Sequence, residues 1–543
     1  MTTDLAFISQ LTLGMPARLR RALQICVAAS ALLAPGGGAF GADLTIGARS
    51  ELAMDPHFQW LDTNTSYYAQ IYGTLVGIDE QSRIVPLLAE SWKAVSETEW
   101  RFALRPGITF HDGSPLDAEA VVASFKRART LPNASSPYVG AIRTIGDVKA
   151  DGPATVVITT SKPDPIVLYG VAQIQILPLK LAATATTDDF NTGRAAIGAG
   201  SYKFVSYQAG NRLVLERNPN FWGPRPLWDK VTFRFIPDDA ARVAALLSGD
   251  VDLIDFVPPS FVERLQATPS VTVFTGRSDR VLFLLMDQER DKSPFITDAN
   301  RQPTDKNPFK DRRVREALTL AVDRDALVER VMSGLAFPAS QINVEGFGGY
   351  NPDIKLPPYD RKRAKELLAE AGYPEGFGIT LHCTNDRYVN DARVCQALGQ
   401  MFARVGLKAD IQTMPRSVFF PKATDHKGER FSLLLLGWGG SSSGDAGALP
   451  NVLHSWEPAK GLGTWNITHY SNPDLDRLIE RALSHMDRAA RYHDYEEAMR
   501  LAMEDHGAIA LYNQSVAVAA RKGIKYTTWA SERTIADSAV MEK

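Results

Sequence analysis

Cysteine is scarce in this chain of 543 residues: Cys26, Cys383 and Cys395 are the three it has. No two stand in CxxC spacing, so zinc-ribbon and thioredoxin-type chemistry lack their signature. The nine histidines form no HExxH, no GxxxxGK[ST] occurs, and past the N-terminal 42 residues there is no GxGxxG loop. The usual signatures of zinc hydrolases and nucleotide-driven enzymes are therefore missing, and no metal or other cofactor is expected. An excess of charge of one sign is missing too. The 60 Lys and Arg against 62 Asp and Glu leave a net charge of -2, too even for the basic footprint of a nucleic-acid binder. Beyond the N-terminal segment no uncharged run reaches the roughly 20 residues that cross a bilayer.

What is present reads as a folded, multi-part chain. Hydrophobic residues make up 45% and charged residues 22%, the composition of globular domains rather than of disordered or fibrous chains, and the length suggests about three or four domain-sized units. The first 42 residues stand apart. Arg18, Arg20 and Arg21 precede an apolar run over 22–34, and Ala39, Gly41 and Ala42 follow it, the order of a secretory signal cleaved near Ala42. Cys26 lies inside that run without the small residue that precedes a lipidated cysteine. The expectation is export to the periplasm, and removal of the three arginines and one aspartate would take the net charge from -2 to -4.

Strand and helix patterns then alternate. Asp360 can cap a helix whose Ala364, Leu367, Leu368 and Ala371 share one face, and Gly372 and Pro374 stop it. A strand over 379–383, a helix carrying Val394, Leu398, Met401, Phe402 and Val405, and a strand at 407–411 make a βαβ unit. Another apolar strand, 431–438, leads to helices at 473–484, with Asn472 as cap and Pro473 at the first position, and at 488–506. Between Tyr202 and Asn218 the period is that of a hairpin turning at Ala209, Gly210 and Asn211. Mixed sheets with helices outside follow.

Few residues carry chemistry. Gly440 to Gly444 satisfy GxSxG with Ser442 central, directly after an apolar strand, where a hydrolase nucleophile would sit. A Gly/Ser loop at the carboxyl end of a strand equally suits ligand contact without attack. Trp438 can wall a ligand beside that loop or simply end the core. Arg387, in the loop after the strand ending at Cys383, can hold a carboxylate through two parallel hydrogen bonds or lie solvated. For an exported chain a disulfide between Cys383 and Cys395 is expected over a thiol nucleophile, with two reduced cysteines as the other reading.

Ordered along the chain are LAESW (88–92), WRFALR (100–105), FHDGSP (110–115), GAGSYKF (198–204), RNPNFW (217–222), LSGDVDL (247–253), PFKDRRVR (308–315) and YDRKRAKELLAEAGY (359–373). Together they resemble the family 5 extracellular solute-binding proteins, the dipeptide, oligopeptide and nickel-binding group of ABC importers. The resemblance implies an α/β, two-lobed periplasmic-binding-protein fold (type II, cluster C-like) with an extra domain inserted in lobe I. Lobe I would take 43–85, 195–277 and 505–543, the insertion 86–194, and lobe II 278–504. It also implies a monomer without catalysis that encloses a peptide-like or other small polar solute by lobe closure and delivers it to an inner-membrane permease with its ATPase subunits. The 384–390 loop then faces the cleft, with Arg387, Tyr388 and Asn390 as ligand contacts beside Trp438, Ser441, Ser442, Ser443 and Asp445. Peptide-binding relatives carry, three positions after the tryptophan matching Trp438, an acidic residue that pairs with the ligand's α-amino group. Here that position is Ser441. The alternative is an exported serine hydrolase using Ser442.

Overall fold

The computed structural model describes residues 42–542 apart from 60–61, 135–137, 139–140, 426–427, 429 and 441–443; the expected secretion signal falls outside these. Local sequence explains most of the elements. Asp360 accepts from the Arg363 amide at 2.9 Å and starts the helix Arg361–Glu370. Asn472 accepts from the amides of Asp474 and Leu475 ahead of Pro473–Ser484, which satisfies donors that a helix start leaves bare. Gly378–Thr384, Asp391–Ala403 and Lys408–Met414 form the expected βαβ unit, the two strands parallel from Gly378↔Lys408 to Thr384↔Met414. Tyr202–Gln208 and Arg212–Arg217 form the hairpin, with Gly210 at φ 69°.

Two long antiparallel strands, Val271–Met286 and Ala508–Arg521, join the two halves of the sheet. On one side Ala508–Arg521 pairs with Leu253–Ile254, followed by Asp43–Ala48, Lys230–Phe235 and the hairpin. On the other side Val271–Met286 pairs with Leu433–Gly439, which continues to the βαβ strands. Between the halves the register of the long pair breaks, from Arg277 to Val281. Asn513 occupies the break: its Nδ2 donates to the carbonyls of Ser278, at 2.7 Å, and Arg280, at 2.8 Å. A polar side chain thus replaces ladder partners between the two halves of the sheet.

The run from Val281 to Met286 is apolar throughout because both of its faces are covered. Leu282, Leu284 and Met286 pack into one core with Leu318, Leu381 and Leu398, while Val281, Phe283 and Leu285 pack into another with Leu453 and Tyr495. A separate antiparallel sheet, Ala89–Ala94, Glu99–Leu104, Thr155–Thr160 and Ile145–Ala150, covers its own core with the helix Ala118–Thr130. Among the described residues no helix is long and apolar enough to cross a membrane.

Candidate ligand cleft

Arg387 is positioned by the turn around it. Asp391 Oδ2 accepts from the Thr384 hydroxyl at 2.6 Å, the Arg387 amide at 3.0 Å and the Tyr388 amide at 3.1 Å. One carboxylate thereby ties the strand end, the loop and the helix start together. The disulfide between Cys383 and Cys395 closes the same loop. Tyr388 is buried, and its hydroxyl accepts from the Gly437 amide at 2.9 Å, anchoring the loop to the neighbouring strand. Asn390 sits in the left-handed region at φ 56°, with its Nδ2 donating to Val331 O at 2.7 Å. Its amide is therefore committed to the protein's own backbone.

The Arg387 guanidinium lies over the Tyr388 ring, 5.1 Å from the centroid, and makes no ion pair or side-chain hydrogen bond among the described residues. It opens into a cavity shared with Ser66, Tyr67 and Asp255 of one half of the sheet and with Arg280 and Glu532 at the connection. Arg280 and Glu532 form a buried pair: Arg280 Nε donates to both carboxylate oxygens, at 3.2 and 3.1 Å, and Glu532 also accepts from the Ser278 hydroxyl and from Gln514. Burial pushes the Asp255 carboxyl up to about 6, against the pull of Arg242 and Arg49. The cavity holds about 30 Å³, room for a water molecule or two at roughly 10–15 Å³ each. A solute of peptide size therefore needs the two sides to part.

Trp438 is the next-to-last residue of Leu433–Gly439 and meets Trp465 edge to face, the ring centroids 5.9 Å apart. Beyond it the backbone is pressed from three directions. A Cβ at Gly439 would stand 2.8 Å from Asp279 Oδ1, one at Gly440 2.5 Å from the Phe347 ring, and one at Gly444, φ 70°, 2.6 Å from the Tyr169 ring. Tyr169 belongs to the chain segment that also holds the separate sheet, so Gly444 marks a contact between that segment and the loop after Trp438. Arg143 makes a further contact, against Gly461. Ser441, Ser442 and Ser443 fall outside the described residues, and of Asp445 only the backbone, in the turn Gly444–Ala446, is described.

Sequence reasoning missed Asp255, Arg280 and Glu532. The available signal for Arg280 was a charged residue directly before the apolar run 281–286; Asp255 and Glu532 have no local signature. One histidine-carboxylate cluster occurs among the described residues: ligand atoms of His454, Glu457 and Glu480 lie within 4.8 Å of one another. The Lys460 ammonium bridges its two carboxylates, at 2.7 and 2.9 Å, so the cluster carries its own cation.

Residues 83–459 match the family described as bacterial extracellular solute-binding proteins, family 5, middle. The chain is 27% identical over 484 residues to the glutathione-binding protein GsiB of Pectobacterium atrosepticum, covering 87% of this chain and 88% of that protein. It is 27% identical over 487 residues to heme-binding protein A of Haemophilus influenzae, with 83% of each covered. Its fold superposes on the periplasmic binding protein DppA of Helicobacter pylori in complex with the peptide STSA, with a TM-score of 0.74, 22% identity, and 93% of this chain and 99% of that one covered. These are binding proteins, and the reading of Ser442 as a hydrolase nucleophile gains no support from them.

Proposed function

As a member of family 5 of the bacterial extracellular solute-binding proteins, the binding components of ABC importers, this chain is a receptor rather than an enzyme, and we propose that it takes up a peptide-like solute whose carboxylate is held by Arg387. The observation that carries this reading is the Arg387 guanidinium, part-buried in the cleft without an ion-pair partner among the described residues. A planar fork of donors suits a carboxylate, which it can bind through two parallel hydrogen bonds. Trp438 and the glycine- and serine-rich loop after it would wall the solute, with apolar area from the indole and donors from the loop. Ser441 offers a free α-amino group no carboxylate, so the carboxylate end is the anchor.

The solute bridges two sides that already touch through Tyr169 and Gly444, and its contacts with both favour the closed form. An inner-membrane permease with its ATPase subunits would receive that form, from a monomer in the periplasm whose signal is removed near Ala42. Lobe I would comprise 43–85, 195–277 and 505–543, the insertion 86–194, and lobe II 278–504. The register break at Arg277 to Val281 supports a boundary there.

Native mass spectrometry of exported protein tests the assignment twice. The polypeptide mass should lack residues 1–42, and the copurified solute, once identified, should bind in calorimetry as the free acid and lose at least tenfold in affinity as its amide. Equal binding of acid and amide would remove Arg387 from the site.

A further inference from the structure

A second chamber, of about 290 Å³, lies in the half of the sheet that carries Arg387, and its volume is near the lower limit of small-molecule sites. It sits beyond the end of the helix Arg312–Ala321, between the segment holding Ser340 and Ile354 and the last turn of the helix Arg488–Glu504. Its nearest wall residue on the strand Ala508–Arg521, Ala510, is three residues from Asn513 at the register break, about 10 Å at roughly 3.3 Å per residue, and the two cavities share no lining residue. The chamber is distinct from the cleft.

Arg324 lines it and is 3% exposed. Its Nε donates to Ala510 O at 2.8 Å, and its Nη1 to the carbonyls of Thr319 and Val322, at 3.2 and 3.4 Å. Nη2 has no partner, and no carboxylate pairs with the guanidinium, among the described residues. Carbonyl dipoles satisfy the N–H groups they meet but leave a whole positive charge in a low-dielectric wall, a costly arrangement without an anion. Burial draws the Arg324 pKa down to about 10, so the charge persists at neutral pH.

Arg324 is the one buried charge among the described residues that line the chamber. The Thr319 hydroxyl donates to Arg315 O at 2.9 Å, so the 3.1 Å contact between Thr319 and His506 Nδ1 uses the imidazole N–H and leaves Nε2 as an acceptor. Burial, reinforced by Arg312, Arg315 and Arg324, holds His506 down to about 4 and hence neutral. Ile354 and Met503 supply apolar wall. At the rim, Arg500 pairs with Glu497 at 3.0 Å and with Glu504 at 2.7 Å, and Lys355 and Asp353 are exposed; none of these carboxylates pairs with Arg324.

We propose that this chamber binds a small monocarboxylate with an apolar body, its carboxylate on Arg324 and its body against Ile354 and Met503. Calorimetry on the mature chain with benzoate, and with benzamide as the uncharged counterpart, tests this; a parallel titration in an Arg387→Ala background separates the chamber from the cleft. Benzoate should bind in both backgrounds and benzamide at least tenfold more weakly. Arg324→Met should cost benzoate at least tenfold. Ile354→Trp, which fills the chamber while keeping every Arg324 hydrogen bond, should cost as much, and it decides the matter if Arg324→Met does not fold. Absence of benzoate binding in the Arg387→Ala background, or binding indifferent to Ile354→Trp, would overturn the proposal.

Discussion

The Tyr388 hydroxyl and the Gly437 backbone form a reciprocal contact: the Gly437 amide donates to the phenol oxygen at 2.9 Å, and the phenol donates back to Gly437 O at 3.3 Å. The ring stacks so close that a Cβ at Gly437 would stand 2.8 Å from it and 2.7 Å from Leu282 Cδ1. This contact holds the Arg387 loop against the strand that carries Trp438. Gly437→Ala should therefore destabilise the chain by about 1–3 kcal/mol, the range for overpacking a filled core. Urea unfolding would read this as a lower midpoint with unchanged slope.

Arg387→Ala should weaken binding of the carboxylate-bearing solute by roughly 2–5 kcal/mol, much of it from a ligand charge left unpaired on closure. Arg387→Lys should recover only part, because a point charge does not reproduce the fork. Calorimetric titration of both variants measures this, and a loss below roughly 0.5 kcal/mol in the alanine variant would return Arg387 to the solvated residues.

The Cys383–Cys395 bridge spans 12 positions of sequence, and closing a loop of about this size contributes about 3 kcal/mol in the chain-entropy view. Reduction, or Cys383→Ser with Cys395→Ser, should lower the unfolding midpoint accordingly and loosen the Arg387 loop. Nonreducing peptide mapping of exported protein should recover the linked pair; two freely alkylated thiols would contradict it.

Acid should destabilise the fold between about pH 6.5 and pH 4. His57 and His382 are buried, and desolvation first of all lowers each from 6.5 to about 4. In that window the unfolded chain binds protons that the folded chain refuses, so stability falls as pH falls, by at most about 1.4 kcal/mol per pH unit for each histidine. His382 stacks on Phe431 at 4.0 Å, so His382→Phe keeps the stack and should flatten the acid limb. Asp255 works in the opposite sense: raised to about 6, it holds a proton in the fold that the unfolded chain has released, which favours the fold as pH drops from 6 towards 4. Asp255→Asn should steepen the acid loss. Urea midpoints measured across pH 4 to 7 check both slopes.

What the sequence determined by itself was local or carried by motif order. Asp360 and Asn472 cap their helices because a capping side chain needs only the next two or three amides. The βαβ unit, the hairpin at Gly210 and the Cys383–Cys395 pair are short-range for the same reason, and the ordered motifs from residue 88 to residue 373 identified the two-lobed binding fold. The sequence also pointed to Arg387 and Trp438, though not to what surrounds them. Only tertiary structure brought Arg387 into one cavity with Asp255, Arg280 and Glu532, residues more than 100 positions away in the chain. It alone turned Asn390 away to Val331 O, and it alone required Gly437, Gly439, Gly440 and Gly444 to lack side chains, because Tyr388, Asp279, Phe347 and Tyr169 occupy the space. A periodic pattern reports which face of an element is apolar; which distant side chain presses on a given backbone atom is decided by how whole elements pack, and nothing in a residue's own neighbours records it.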